Sequence, residues 1–378
     1  MSEVFPNPDL SVGEDNKQRW NQPAHRRHGF HNAHLLMRRM HMVRARNVLA
    51  LHPTENPTLT ASPEVSSLIN HPAFSALVCI KGDQILLERH AADFSTTRPH
   101  SIQSISKMHI HLIVGKLVDQ QLLDLKKTVG HYLPDIGSGY STARVQDLLD
   151  MNVANDFSED YADPHSDCYT EEIALGWRLP RGATAETTLR DFTNGITGSD
   201  LANPSRYADY KSANTDVLTR ICALLSPTRL VTQIEAIADA AGYEGSFHIS
   251  LSPDQLPAFS GGGCLSARDL ARFGLLVARG GTGSGMSAVG ELAFLHSSLT
   301  KQAPQLRPPK NWLRYSNHLM TDGRLIGHAG YGGQFLMVDT KHGISCAYLS
   351  VLENESGYDD VYMANVAECL RFICLGES

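Results

Sequence analysis

Apolar and polar positions along the chain follow two different spacings. Residues 73–80 form an apolar, β-prone run, Lys81-Gly82-Asp83 supplies a turn, and Gln84 to Glu88 continues with apolar positions. That pattern predicts a β-hairpin. It recurs near the C-terminus, where residues 334–339 and 344–351 flank Lys341-His342-Gly343. From Asp359 to Leu375 the spacing becomes helical. Ile105 to Val118 is apolar nearly all round, through Ile105, Met108, Ile110, Leu112, Ile113, Val114, Leu117 and Val118. Such a segment predicts a buried, central helix. Hairpins at both ends with helical material between them predict an α+β body carrying an inserted helical region. The expected division is an N-terminal extension (1–60), a sheet-containing domain (61–125 and 226–378) and a helical domain (126–225).

The extension is polar and broken by Pro6, Pro8, Pro23, Pro53 and Pro57. Its His25 to Arg46 stretch is rich in Arg and His. We read it as a solvated helix face wrapping the main body, because the whole chain carries 33 Lys+Arg against 40 Asp+Glu, a net charge of -7. That balance gives no supporting field for nucleic acid or anionic lipid. No apolar run approaches the roughly 20 residues of a membrane span, and the first residues lack a basic stretch followed by an apolar core. A cytoplasmic protein with neither nucleic-acid nor membrane partners is expected. The 378 residues are 42% hydrophobic, which is ample for a large core and excludes wholesale disorder. Seven cysteines are scattered without a CxxC pair, as in reduced, buried thiols. His109-Ile110-His111 places two imidazoles at i and i+2, which do not share a helix face. Neither a metal nor another cofactor is expected.

Within this frame, Ser104-Ile105-Ser106-Lys107 opens the apolar helix. Positions i and i+3 share a face, so Ser104 Oγ and Lys107 Nζ could meet. A lysine buried near a helix N-terminus is disfavoured as a cation by desolvation and by the helix dipole. It is therefore a candidate base. A second copy of the motif, Ser298-Leu299-Thr300-Lys301, precedes Pro304, Pro308 and Pro309, so no buried helix can run on from it. Downstream, Tyr210-Lys211-Ser212-Ala213-Asn214 would present a phenol and polar groups at a helix start. The similar Tyr315-Ser316-Asn317 sits among strand-like residues and reads as a strand tyrosine. Last comes His328-Ala329-Gly330-Tyr331-Gly332-Gly333-Gln334, whose glycines permit close backbone approach.

These three elements, in this order, resemble the serine β-lactamase and penicillin-binding protein superfamily, in its class C-like branch. Residues 155–164, Gly176-Trp177-Arg178, residues 212–218 and residues 267–272 further resemble the nylon-oligomer amidases of that branch. The resemblance implies an antiparallel sheet flanked by helices, an inserted all-helical domain, and an active site between the two. It implies Ser104 as nucleophile, Lys107 as its base, Tyr210 as proton shuttle, and the amides of Ser104 and Tyr331 as an oxyanion hole. Tyr161, Glu172, Ser212, His328 and Trp177 would contact substrate, Glu172 at a cationic end. The implied activity is hydrolysis of a small linear amide of the 6-aminohexanoate-dimer kind through an acyl-enzyme. A carboxylesterase or a β-lactam hydrolase of the same fold is the alternative, and a non-catalytic ligand-binding homologue a further one. A homodimer is compatible with this reading.

Overall fold

The computed structural model describes residues 16–180, 186–283 and 288–376. At its centre lies an eight-stranded sheet. Its order from edge to edge is His52–Pro53, Gln84–His90, Phe74–Lys81, Ile344–Ser350, Gln334–Asp339, Leu325–Gly330, Leu319–Thr321 and Arg314–Ser316. Neighbours are antiparallel, except that His52–Pro53 runs parallel to Gln84–His90. The two hairpins expected from the apolar runs stand side by side in the middle. Phe74–Lys81 pairs with Ile344–Ser350, with Cys79 opposite Cys346, so both ends of the chain share one sheet. Phe74–Lys81 is buried at every position but the last, as befits a central strand covered on both faces.

Alternation along these strands assigns the two faces. Ala76, Val78 and Ile80 join one core with Leu270, Phe273 and Val277 of the helix Ala267–Ala278. Leu77 and Cys79 join the other core with Val366, Leu370 and Ile373 of Asp360–Gly376. The C-terminal helix thus matches the helical spacing read from the tail. The architecture is α+β, an antiparallel sheet flanked by helices. Residues 126–225 supply the helices Val129–Tyr132, Val145–Leu149, Cys168–Ala174, Leu189–Asn194 and Ser212–Leu225, and none of their described residues belongs to a strand of either sheet.

A second, four-stranded antiparallel sheet orders Met40–Arg44, Ser246–Ser250, Gly263–Leu265 and His100–Ser101. Here the N-terminal segment departs from the expected solvated wrap. Met40–Arg44 is a strand. On the helix Pro23–Leu36, Arg26, Phe30 and His31 are buried. Their polarity is satisfied internally: Arg26 donates to the carbonyls of Leu352 and Asn354, and His31 Nε2 lies 2.9 Å from Ser75 Oγ. A polar stretch need not be solvated when backbone carbonyls can take its donors.

The predicted central helix also begins differently. Residues 103–107 form a 3₁₀ turn, and the α-helix runs from Met108 to Asp119. Gln103 has φ = 47°, a left-handed conformation that side chains other than glycine seldom take. It swings the chain out of the His100–Ser101 strand and into the turn that carries Ser104.

Candidate active site

Strained backbone next to a reactive side chain is where such strain clusters in proteins. The turn after Gln103 leaves Ser104 half-buried at the rim of a cleft of about 510 Å³. Three residues on, Lys107 is fully buried. Its Nζ lies 3.0 Å from Ser104 Oγ, 2.9 Å from Ser212 Oγ and 2.5 Å from the Ser260 carbonyl oxygen. These partners are all neutral. Burial pushes the Lys107 pKa below its ordinary value, opposed by the charges of Glu159, Glu171 and Asp216.

Hydrogen-bond directions around Lys107 are constrained. Ser212 Oγ donates to Glu159 Oε1 at 2.7 Å, and the Ser212 amide donates to Oε2 at 2.5 Å. The carboxylate thereby holds the N-terminus of the helix Ser212–Leu225 and consumes the Ser212 hydroxyl proton. Toward Lys107, Ser212 Oγ and the Ser260 carbonyl are both acceptors. Lys107 Nζ also donates to Ser104 Oγ, whose own hydroxyl points at the Ser260 carbonyl 3.5 Å away. Once Lys107 has lost a proton, Ser212 Oγ and the Ser260 carbonyl can take its two N–H bonds and its lone pair can face Ser104 Oγ. Glu171 and Asp216 lie deeper. Burial raises both carboxyls, Glu171 well above its ordinary value and Asp216 to about 6, and the two interact with one another. We read the pair as sharing one proton.

Tyr210 stands two residues before this helix start and lines the cleft together with Ser104. Its hydroxyl is buried and makes no hydrogen bond, although it interacts with the hydroxyls of Ser104 and Ser212. Burial lifts its pKa well above 10, so it is a neutral phenol. On the third side, a Cβ at Gly330 would stand 2.8 Å from the Ile102 carbonyl and 3.2 Å from Gln103 Cβ. Glycine there lets the strand Leu325–Gly330 press on the turn bearing Ser104, and Tyr331 follows at the cleft wall.

The family model described as Beta-lactamase matches residues 70–368. The chain belongs to the beta-lactamase family. It is 28% identical to the 6-aminohexanoate-dimer hydrolase of Paenarthrobacter ureafaciens over 291 residues, 75% of this chain and 72% of that one. Among solved structures, a Bacillus anthracis protein provisionally assigned as a 6-aminohexanoate-dimer hydrolase superposes with a TM-score of 0.81 at 17% identity, covering 99% of both chains. A D-stereospecific amidohydrolase from Streptomyces sp. superposes with a TM-score of 0.60 at 15% identity, covering 85% of this chain and 99% of that one. The protein is a hydrolase of the beta-lactamase fold.

Within this beta-lactamase-family site the other expected residues fall into two groups. Ser104, Tyr161, Tyr210 and Tyr331 line the cleft. The Tyr161 hydroxyl donates to Glu159 at 2.6 Å, and its ring sits 4.9 Å from that of Tyr331. Ser212 lies below, against Lys107. His328, Glu172 and Trp177 do not line the cleft. His328 is fully buried, with Nδ1 2.6 Å from the Ala329 carbonyl and Nε2 2.9 Å from the Tyr315 hydroxyl. A carbonyl only accepts, so Nδ1 carries the proton and Nε2 accepts from Tyr315. Burial drives its pKa well below 6.5. The ring therefore faces the protein rather than the cleft and supports Tyr315, which packs 5.8 Å from the Tyr210 ring.

Glu172 is buried and bound by Lys17 and Arg178. Trp177 Nε1 donates to Ser250 Oγ at 2.7 Å. Both line a separate cavity of about 20 Å³ behind Ser104. Sequence reasoning missed Glu159, Ser260, Tyr315 and Lys17. Only Glu159 had a local cue, as a member of the 155–164 run. His109 and His111 each set Nδ1 2.9 Å from a backbone carbonyl, of Ser106 and Asn317, and stack on phenylalanines.

Proposed function

We propose that the chain is a serine amidohydrolase that cleaves a small, linear amide of the 6-aminohexanoate-dimer kind through an acyl-enzyme on Ser104. The observation that carries this reading is a fully buried lysine whose hydrogen-bond partners are all neutral, 3.0 Å from Ser104 Oγ. Serine is a weak nucleophile at its free pKa and requires an adjacent base. In the proposed step, Lys107 Nζ takes the Ser104 proton as Oγ bonds to the substrate carbonyl carbon. The amides of Ser104 and Tyr331 hold the resulting oxyanion, each donor of this kind being worth about 3 kcal/mol. The proton passes from Lys107 by way of the Tyr210 hydroxyl to the leaving nitrogen, and the C–N bond breaks. Water then attacks the ester on Ser104 with the same base, releasing the acid and restoring the serine.

Tyr210 bears on amide rather than ester cleavage. An amine must be protonated before it departs. The buried phenol with no hydrogen bond in the free protein is placed to carry that proton. The cleft that would take the substrate is lined by Ser104, Tyr161, Tyr210, Met320, Lys310, Tyr358 and Asp360 among others.

The test is a mass-spectrometric hydrolysis assay of the wild type and Ser104→Ala on the linear 6-aminohexanoate dimer, neutral linear amides, short-chain esters and a β-lactam. Amide cleavage by the wild type alone supports the proposal. Cleavage of esters or of the β-lactam alone moves the assignment to those classes. Equal turnover by Ser104→Ala removes the nucleophile, and no turnover of anything favours a ligand-binding homologue.

A further inference from the structure

Ser104 stands between two unequal spaces. One is the open cleft of about 510 Å³. The other is a smaller cavity of about 20 Å³, and Tyr161 and Tyr331 line both spaces. Beside the smaller one stands a cation of the chain itself. Lys17 is 4% exposed. Its Nζ lies 2.5 Å from Glu172 Oε1, 4.4 Å from the centroid of the Trp177 ring and 5.9 Å from that of Tyr331. A carboxylate combined with aromatic faces is a receptor for an alkylammonium group. Burial raises the Glu172 carboxyl, but Lys17 and Arg178 together outweigh it and hold its pKa below the ordinary value.

The lysine is fixed in place. Its amide donates to the Trp177 carbonyl at 3.0 Å. The short helix Lys17–Trp20 is capped by Asn16, whose side chain accepts from the Gln18 amide. Trp20 beds against Gly29, where a Cβ would come within 2.2 Å of the indole. The N-terminal segment therefore delivers an aminobutyl chain to the back of the site.

We propose that Lys17 is a specificity-determining residue that closes the Glu172–Trp177 subsite to positively charged substrate ends. This inference rests on the amidohydrolase reading and narrows it. A substrate end running from Ser104 towards Trp177 must be short and uncharged, because Lys17 already holds the carboxylate and the aromatic face. Charged ends are left to the open cleft, where Arg307 and Lys310 stand with Asp160, Asp209 and Asp360. Removing the Lys17 side chain frees Glu172 Oε1 in a buried site, which then calls for a cation from the ligand.

The test measures binding, so it does not depend on turnover. Dissociation constants of 6-aminohexanamide and hexanamide are compared by calorimetry on the full chain. The wild type is expected to bind the ammonium compound no more tightly than the neutral one. Lys17→Ala is expected to prefer the ammonium compound by about tenfold or more, the scale of a desolvated cation on an aromatic face. Lys17→Met, which keeps the volume and drops the charge, is expected to show no such preference. A wild-type preference for the ammonium compound overturns the proposal, and this arm needs no variant to fold. Equal affinities in a folded Lys17→Ala also overturn it. Failure of the amidohydrolase reading would appear instead as an absence of amide hydrolysis, with these binding ratios intact.

Discussion

Two Ser-x-x-Lys segments lie in this chain, and they are put to opposite uses. Lys301 ends the helix Leu292–Thr300 and is held by Asp150, at 2.5 and 2.7 Å, and by Asn317 Oδ1 at 2.7 Å. Ser298 Oγ donates to the Phe294 carbonyl and accepts from Asn317 Nδ2. Every proton there is committed within a structural knot. Lys107 bonds only neutral groups, one of which is Ser104 Oγ at the rim of a cleft. Burial lowers the pKa of both lysines; at Lys301 the bonded Asp150 carboxylate opposes it directly, whereas Lys107 has no carboxylate among its hydrogen-bond partners. The spacing is shared, and the surroundings differ: a carboxylate and an amide at Lys301, two hydroxyls and a carbonyl at the lysine we propose as the base.

The largest expected effect separates these lysines. Lys107→Ala should lower kcat/KM by about a thousandfold or more, the scale on which a base-activated nucleophile fails. Lys301→Ala should leave kcat/KM within about threefold and instead cost about 3 kcal/mol of stability, because Asp150 is left buried without its cation. Steady-state kinetics beside urea denaturation checks both. If the kinetic losses are equal, the contrast fails.

Next is the group that aims the lone pair. Glu159→Gln removes an anionic acceptor from Ser212, so the Ser212 proton can turn towards Lys107 and occupy it. We expect kcat to fall by about 10- to 100-fold, at or below the lower end of general-base effects because the base itself stays in place, with KM nearly unchanged. Glu159→Asp should recover part of the loss. A rise in KM alone would mean that Glu159 only shapes the cleft.

A smaller effect is a displaced pH profile. If Lys107 is the base, the acid limb of kcat/KM should follow loss of its proton, and nearby anions favour its ammonium form. Removing the charge of the carboxyl pair with Glu171→Gln and Asp216→Asn should therefore lower the Lys107 pKa. The limb should move to lower pH by about one unit, which corresponds to about 1.4 kcal/mol of interaction. A move to higher pH would contradict the charge assignment.

The last concerns stability rather than rate, in the packing that joins the two regions. His111 lies 2.9 Å from the Asn317 carbonyl and His318 3.1 Å from Thr215 Oγ1. Burial lowers His111 to about 4 and His318 to about 3. The unfolded chain takes up these protons below about 6.5, while the folded chain resists until about 4. Stability is thus full above about 6.5 and is lost as the pH falls towards 4, each group contributing at most about 1.4 kcal/mol per pH unit. Urea midpoints between pH 7 and 5 should fall, and His111→Phe should flatten part of the slope.

Much of the candidate site's geometry was legible because it is local. Ser104 and Lys107 are three residues apart, and both hairpins carry their own turn residues. The break at Gln103 was not, because nothing in a run of Ile, Ser and Met marks a left-handed residue before it. The turning of the His328 ring into the protein was not legible, because the motif fixes its strand position, whereas the partner that takes its ring, Tyr315, comes from a neighbouring hairpin. Tyr315 itself reads correctly as a strand residue, but its contact with the site has no sequence cue. Glu172 was read as facing substrate because its cation, Lys17, lies 155 positions earlier in a segment that reads as loose and polar. Tertiary pairings of this kind leave no periodic trace.

The central claim is that Ser104 alone is activated, and only by Lys107. Labelling with a fluorophosphonate, followed by peptide mapping, tests it directly. The account predicts one label per chain, on Ser104, retained in Lys301→Ala and lost in both Ser104→Ala and Lys107→Ala. Labelling of Ser298 or another serine, or labelling that persists without Lys107, would contradict it.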